Sequence, residues 1–507
     1  MQSGKRVTRR TILGSAAAGV VPALISPAGL AAASGQSSPP VSPSTAFAEH
    51  SMQSRYNTLT KTEVAIDAGE IVGPFEWQRH CLSHGGINSK PLPERVVEGA
   101  RRLQLPLLRT FMQEYLNIYP AQGRFDWSKA DPYMRSLQAT GAKVVAALTI
   151  KPTPLFPRID QKIWQPTDRS EWQKVIAAVA KRYSVDQPIV TYWEIGNETD
   201  IGENGGSPML VNSVDDYYSY YQTHVEAIRS VFPRAKIGGP AMANPFAPWV
   251  DPFLEKCRTT GTQLDFISWH VYNDKPSRHG EIGRHFGRLA DRFSQRPELF
   301  VTEWNKGFDP VSVEEMAFEP HRAAHTAATI LEMADAGVGR SFYYHVWDQT
   351  NYSFEFERFF ADPVIMTKHW NEVPHRFGLF GVNEEVRPQY FVYQMLGRMG
   401  RDTVLSSCQH PGLRVRAVRD DKKVSVLLVH YHTEATADLV VQLNFSHLTH
   451  SRKQLKTYRI DNQRRWVGET LELLPLETRE VDTYPKFSCQ VYSPQGTVTM
   501  VVLEELV

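Results

Sequence analysis

Lys143–Ile150, KVVAALTI, is an almost unbroken apolar run, rich in β-branched residues and set between Gly141 and Pro152. It is too short for a helix and shows no alternation. It therefore reads as a strand buried on both faces, the pattern of a parallel sheet covered by helices. An amphipathic, helix-length stretch precedes it at about Asp131–Ala139, and another follows at Arg169–Tyr183. The next apolar run is Ile189–Ile195, IVTYWEI. Strand, helix, strand is the unit that builds parallel sheets, because parallel neighbours need a crossover connection.

The same alternation extends in both directions. Upstream, the helical Pro93–Leu103 leads into the strand Leu105–Phe111 (LPLLRTF), and a first strand is expected near Val72–Trp77. Downstream, helix Val214–Val231 precedes strand Lys236–Gly239. Strands Leu264–Tyr272 and Leu299–Trp304 flank the helical Gly283–Phe293, and helix Pro320–Ala336 leads to strand Arg340–Val346. Eight strand–helix units over about 320 residues match the size of a (β/α)8 TIM barrel, expected over residues 72–397. No GxGxxG or phosphate-cradling glycine loop follows an early strand, and no other cofactor signature is present, so no cofactor is expected.

Outside those limits the pattern changes. Residues 398–507 carry short β-rich runs (Val424–His430, Ala437–Phe445, Lys456–Ile460, Glu477–Val481, Thr497–Leu503) and read as a C-terminal antiparallel β-sandwich, joined by a strand from residues 56–71 around Glu63–Asp67. Residues 34–55 are Ser/Pro-rich and read as a linker. Residues 1–33 contain Lys5, Arg6, Arg9 and Arg10 and no acid. Thr8-Arg9-Arg10-Thr11-Ile12-Leu13, an apolar stretch and Ala31-Ala32-Ala33 form a bacterial twin-arginine signal with a small-residue cleavage site. The expected location is periplasmic or secreted. No other stretch reaches the 18 or more apolar residues of a membrane span.

Composition narrows the function. The 507 residues are 42% hydrophobic and 22% charged, with 56 Lys+Arg against 55 Asp+Glu, so no charge excess points to nucleic acid. Cys81, Cys257, Cys408 and Cys489 have no metal-ligand spacing and read as buried thiols, although Cys408 and Cys489 share one region. His321 and His325, four apart on a helix, lack the acid and third ligand of a metal site, and no metal is expected. Lys151 ends a strand but has no evident partner acid for Schiff-base chemistry.

Barrel enzymes place their chemistry at the C-terminal ends of strands. Reading those ends gives Arg109, the stretch Glu194–Glu198, His270 and Tyr272, Glu303 and Trp304, then His345 and Trp347. Two acids stand out, Glu198 and Glu303. Cleaving a glycosidic bond needs one carboxyl to protonate the leaving oxygen and a second to attack or stabilise the sugar cation. Asn197 could bond a sugar hydroxyl, Arg109 could hold Glu303 ionised, and His270 and Tyr272 point to one side of their strand. A chain with these acids reads as an oligo- or polysaccharide hydrolase. The alternatives are a catalytically silent polysaccharide-binding barrel and an aldolase-like metabolic barrel.

Trp193-Glu194-Ile195-Gly196-Asn197-Glu198 and Thr302-Glu303-Trp304-Asn305 are similar to the fourth- and seventh-strand motifs of clan A glycoside hydrolases. With Leu107-Leu108-Arg109, Gly123-Arg124-Phe125-Asp126, Ile237-Gly238-Gly239-Pro240, Asp265–Tyr272 (DFISWHVY), Phe377-Gly378-Leu379 and Pro388-Gln389-Tyr390-Phe391, the ordered set resembles glycoside hydrolase family 39, known for β-xylosidases and α-L-iduronidases. The resemblance implies a retaining enzyme with Glu198 as acid/base and Glu303 as nucleophile. It further implies substrate contacts from Asn197, Arg109, His270, Tyr272, Trp304, Tyr344 and Trp347, with xylose the first expected sugar and galactoside, arabinoside or uronide as alternatives. Thr199 stands where the family has Pro, Gly196 where Trp is common, Phe111 where xylosidases carry His, and Tyr344 in the place of a Trp. These departures leave both carboxyls intact and alter the pocket that distinguishes sugars.

Overall fold

The first strand of the computed structural model, β1 (Thr60–Pro74), stands apart from the eight that follow it. Those are β2 (His80–Ser83), β3 (Leu107–Met112), β4 (Lys143–Leu148), β5 (Val190–Ile195), β6 (Lys236–Met242), β7 (Phe266–Tyr272), β8 (Glu298–Asn305) and β9 (Arg340–Tyr344). Each pairs in parallel with the next, and β9 with β2, closing a (β/α)8 barrel. The structure describes residues 59–506 except 86–87, 310–318, 435–436, 450, 463–469 and 485. The expected signal at 1–33 and linker at 34–55 lie outside the described residues.

Alternation along the strands sorts the side chains into two layers. Cys81, Leu107, Val145, Phe266, Phe300 and Phe342, one from each of six strands, meet in a cluster that fills the barrel's interior, with Phe266 stacked on Phe300 at 4.5 Å. Their neighbours Leu82, Leu108, Val144, Ile267 and Val301 pack outward among the helices. The interior plug closes the barrel below the polar residues that occupy its upper end. The helices are started by local chemistry: Asp168 caps Arg169–Lys181 by accepting from Glu171 N–H (3.0 Å), and Ser213 caps Val214–Val231 through Asp216 N–H (3.2 Å).

The remaining strands are β10 (Asp402–Cys408), β11 (Leu413–Arg419), β12 (Lys423–His430), β13 (Leu439–Ser446), β14 (Arg452–Ile460), β15 (Glu477–Asp482), β16 (Phe487–Ser493) and β17 (Thr497–Glu505). With β1 they make one nine-stranded sheet in the order β15-β14-β17-β12-β11-β10-β1-β13-β16. Residues from both ends of that order, Leu455 and Leu503 with Val441, Leu443 and Val491, share a single core, so the sheet folds over on itself. The sandwich is thus two layers of one continuous sheet. It is antiparallel except where β1 runs parallel to β13.

Two expected boundaries move. Residues 72–74 belong to β1 and the sheet, and the first barrel strand is His80–Ser83 rather than Val72–Trp77. The four residues HCLS do not form an apolar run, yet all are buried, and the His80 ring satisfies itself on Ser341 Oγ at 2.8 Å across the barrel closure. The last barrel helix, Pro388–Met399, continues past residue 397 and carries the chain into the sheet. The sheet leans on this helix and on Pro320–Asp335 through Arg414 to Glu332 (2.9 Å) and Leu473 N–H to Gln394 (2.8 Å). All four cysteines are free thiols, and burial pushes those of Cys81 and Cys257 up to about 12. Among the described residues no helix is long and apolar enough to cross a membrane.

Candidate active site

Above the interior plug, a buried arginine organises the barrel mouth. Arg109, on β3, is fully buried, and such a charge must be paired. Its Nε donates to Glu194 Oε2 (2.6 Å), Nη1 to Glu303 Oε1 (2.9 Å) and Nη2 to Asn197 Oδ1 (2.8 Å). One planar guanidinium thereby fixes three residues from β8, from β5 and from just beyond it, which the fork geometry of arginine permits and a lysine would not. Burial alone would lower the Arg109 pKa, but Glu194 and Glu303 outweigh it and raise the pKa above its ordinary value.

Glu303 has a donor on each oxygen, since Tyr272 Oη donates to Oε2 at 2.6 Å. Both oxygens accept, so the group is set up as a carboxylate. Glu198 lies immediately beyond β5 in a left-handed backbone conformation (φ 45°), its N–H donating to Ala241 O at 2.8 Å. His270 stands between the acids: Nδ1 is 2.8 Å from Glu198 Oε1 and 3.7 Å from Glu303 Oε2. The His270 Nε2 faces the donor Arg109 Nη2 at 3.4 Å and so acts as acceptor. That puts the ring proton on Nδ1, donating to Glu198. Donor atoms of Glu198, His270 and Glu303 lie within 4.8 Å of one another. A small cation could span such a trio, but the Arg109 guanidinium already supplies the positive charge there.

The cleft above these groups is lined by Phe111, Asn197, Glu303 and Tyr344 with Gln113, Gly205, Gly206 and Trp370. Phe111 meets Tyr344 edge-on (6.5 Å), Trp370 does the same (5.4 Å), and Arg109 lies over the Phe111 ring at 4.5 Å. Aromatic faces beside the Glu303 carboxyl suit the CH faces and the anomeric carbon of a sugar ring.

A sequence model described as glycosyl hydrolases family 39 matches residues 152–438, more than half of the chain. This chain belongs to that family. The solved structures show the same fold. A monomeric β-xylosidase from Caulobacter crescentus CB15 superposes with a TM-score of 0.67 over 88% of this chain and 100% of that one, at 17% identity. The family 39 enzyme of Xanthomonas axonopodis pv. citri gives 0.68 over 89% and 98%, at 16% identity. Among characterised sequences, a β-xylosidase of Geobacillus stearothermophilus is 25% identical over 200 residues, 34% of this chain and 37% of that protein. One of Caldicellulosiruptor saccharolyticus is 22% identical over 291 residues, 53% and 55%. The matches thus take in about a third to a half of these relatives' lengths.

Within this family 39 frame, the structure brings Arg109, Asn197, Glu198, His270, Tyr272, Glu303 and Tyr344 together. Two expected residues lie elsewhere. Trp304 follows Glu303 on a strand and so faces the opposite side. It is fully buried, edge-on to Tyr343 (5.2 Å) and His279 (6.1 Å), and is a packing residue under the helices. Trp347 does not line the cleft. β9 ends at Tyr344, the chain turns away, and the Trp347 ring lies against His84 at 6.3 Å.

Two participants escape a reading of motifs, and a third was seen there without a role. Glu194 was in view as a strand-end residue but gains its place only through Arg109. Trp370 arrives on the helix Val364–Trp370 within the long loop after β9, where no strand-end rule applies. Gly205 is required sterically, because a Cβ there would collide with Glu198 Oε2 and lie 2.5 Å from Glu198 Cβ. Lys151 is not among the cleft-lining residues. Its Nζ joins two loops by donating to the carbonyls of Asp160 (2.8 Å) and Pro208 (3.0 Å), and burial pushes its pKa down to about 8.

Proposed function

We propose that this chain is an exported retaining glycosidase that releases monosaccharides, xylose first, from the non-reducing end of β-linked glycans. The observation that carries the reading is the approach of Glu198 and Glu303, whose oxygens lie within 4.8 Å. Retaining enzymes hold their carboxyls about 5–5.5 Å apart so that one can attack the sugar, whereas inverting enzymes leave about 6.5–9.5 Å for a water.

The mechanism follows from the contacts. Glu198 gives its proton to the glycosidic oxygen as the bond from that oxygen to the anomeric carbon breaks, and a Glu303 oxygen bonds to that carbon. Arg109 and Tyr272 hold Glu303 in line before attack and receive its charge again when it leaves. In the second step Glu198, now a carboxylate, takes a proton from water, whose oxygen attacks the anomeric carbon and frees Glu303. Two inversions give net retention.

Proton NMR of the first-formed sugar is the deciding measurement, and an inverted anomer refutes the mechanism. Glu303→Ala is expected to abolish turnover on every substrate. Glu198→Ala is expected to spare the first step for activated aryl leaving groups, with azide rescuing the second as a β-configured product. Azide rescue of Glu303→Ala instead of Glu198→Ala would exchange the roles.

The choice of xylose is supported by the relatives named β-xylosidases. A panel of nitrophenyl β-glycosides tests it, with galactoside, arabinoside and uronide as the competing outcomes. A fall in polymer viscosity ahead of any free monosaccharide would overturn non-reducing-end action. Export is supported by the twin-arginine pattern at residues 8–13, and replacing Arg9 and Arg10 by Lys is expected to leave precursor inside the cell.

A further inference from the structure

Glu198 sits on a turn held at both ends by carboxylates that do not line the cleft. Asp200 accepts from two consecutive backbone amides, Ala243 N–H (3.0 Å) and Asn244 N–H (2.9 Å), which ties the turn to the loop after β6. Glu203, 3% exposed, does the same with Ala361 N–H (2.9 Å) and Asp362 N–H (3.1 Å), which ties it to the loop after β9. Between them the turn closes on the acid itself. Ile201 and Gly202 N–H both donate to Glu198 O (3.1 and 3.0 Å), and Asn197 Nδ2 donates to Gly205 O (3.3 Å). Gly205 packs so closely on the Glu198 carboxyl that no Cβ fits.

A non-glycine residue at φ 45° holds its place only when its surroundings over-determine it. The short 3-10 turn Gly202–Gly205 has little strength of its own, and each of the two consecutive amide donors meets its own Glu203 oxygen, where a glutamine would set its NH2 against one of the N–H groups. We propose that Glu203 is a positioning residue for the acid/base. By pinning Gly202–Gly205 to the loop after β9, it fixes the seat on which the Glu198 carboxyl rests and so the direction in which that carboxyl meets the leaving oxygen. The inference depends on Glu198 being the acid/base.

The readout is the dependence of kcat/KM on the leaving group. That ratio reports the first step, in which a misdirected acid matters only where the departing oxygen needs a proton, whereas the second step uses Glu198 as base on every substrate. Glu203→Gln is expected to lower kcat/KM at least 10-fold on an alkyl glycoside or disaccharide while that of a dinitrophenyl glycoside changes less than about 3-fold. Gly205→Ala, which leaves the Glu203 contacts in place and disturbs the same seat from the other side, is expected to give the same split. It shows whether the seat itself steers the acid; should Glu203→Gln not fold, Glu203→Asp, which keeps both carboxylate oxygens at a shorter reach, carries the test of Glu203. Glu198→Ala is run alongside. If it shows no split, the acid/base assignment fails and the positioning role falls with it. If Glu198→Ala splits while a folded Glu203→Gln slows both substrates equally or neither, or while Gly205→Ala shows no split, the positioning role alone is overturned.

Discussion

Arg109 concentrates more of the site's chemistry than either catalytic candidate, since its three nitrogens donate to Glu194, Glu303 and Asn197 and Nη2 also faces His270. Arg109→Lys keeps the charge but cannot reach all three partners and leaves a buried acid unpaired. We expect kcat/KM to fall by 100-fold or more, with a stability loss of about 3–5 kcal/mol, read from aryl-glycoside kinetics and urea unfolding. Most of this site was legible in the sequence because barrel chemistry gathers at strand ends, and Arg109, Glu198, His270, Tyr272 and Glu303 stand there. Trp304 was misplaced for a related reason: adjacency to Glu303 in a motif counts for less than alternation, which turns neighbouring side chains to opposite faces. Trp370 and Gly205 were illegible because their importance comes from loop geometry, where no period organises the residues.

Strand reading succeeded where apolar runs were long, as in β4, β5 and β7, and faltered where polar residues find partners inside the fold. β2 escaped because His80 and Ser83 break its run. β11 (LRVRAVR) and β16 (FSCQVYS) alternate, but with Arg, Ser and Gln on their outward positions they did not stand out from the turns around them. β1 is the most consequential strand, lying in the sheet between β10 and β13 with Val64, Ile66 and Ala68 buried at alternate positions. Ile66→Ala is expected to cost about 2–5 kcal/mol by opening a cavity in the shared core. Lys61→Ala, on the exposed face of the same strand, is expected to stay within about 0.5 kcal/mol. Thermal unfolding of the pair checks both values, and equal costs would mean that β1 adds no core.

Across the whole molecule, buried imidazoles contribute to the response to acid, His84 and His325 among them, both pushed well below the ordinary value by burial. Burial pushes His80 down to about 3, and His224 and His279 down to about 4, from the ordinary value near 6.5. Their folded pKa values are depressed, so below about pH 6.5 the unfolded chain takes up protons that the folded chain refuses. Stability from these groups is complete above pH 6.5 and is lost as pH falls toward 4. His224→Gln is expected to flatten the fall in melting temperature between pH 6.5 and 4 by about one proton's worth, and an unchanged slope would remove His224 from this account. The placement of β1 also carries a consequence for synthesis. Val64 pairs with Cys408 and Leu443, so the first of its partners is translated 344 residues later and the second 379. At about 5–20 residues per second, β1 waits on the order of 20 to 70 s with both edges bare. A waiting strand is a template for the wrong neighbour, and Lys61, Glu63 and Glu70, all exposed along β1, are the charges that keep other nascent chains from joining it before its own partners arrive.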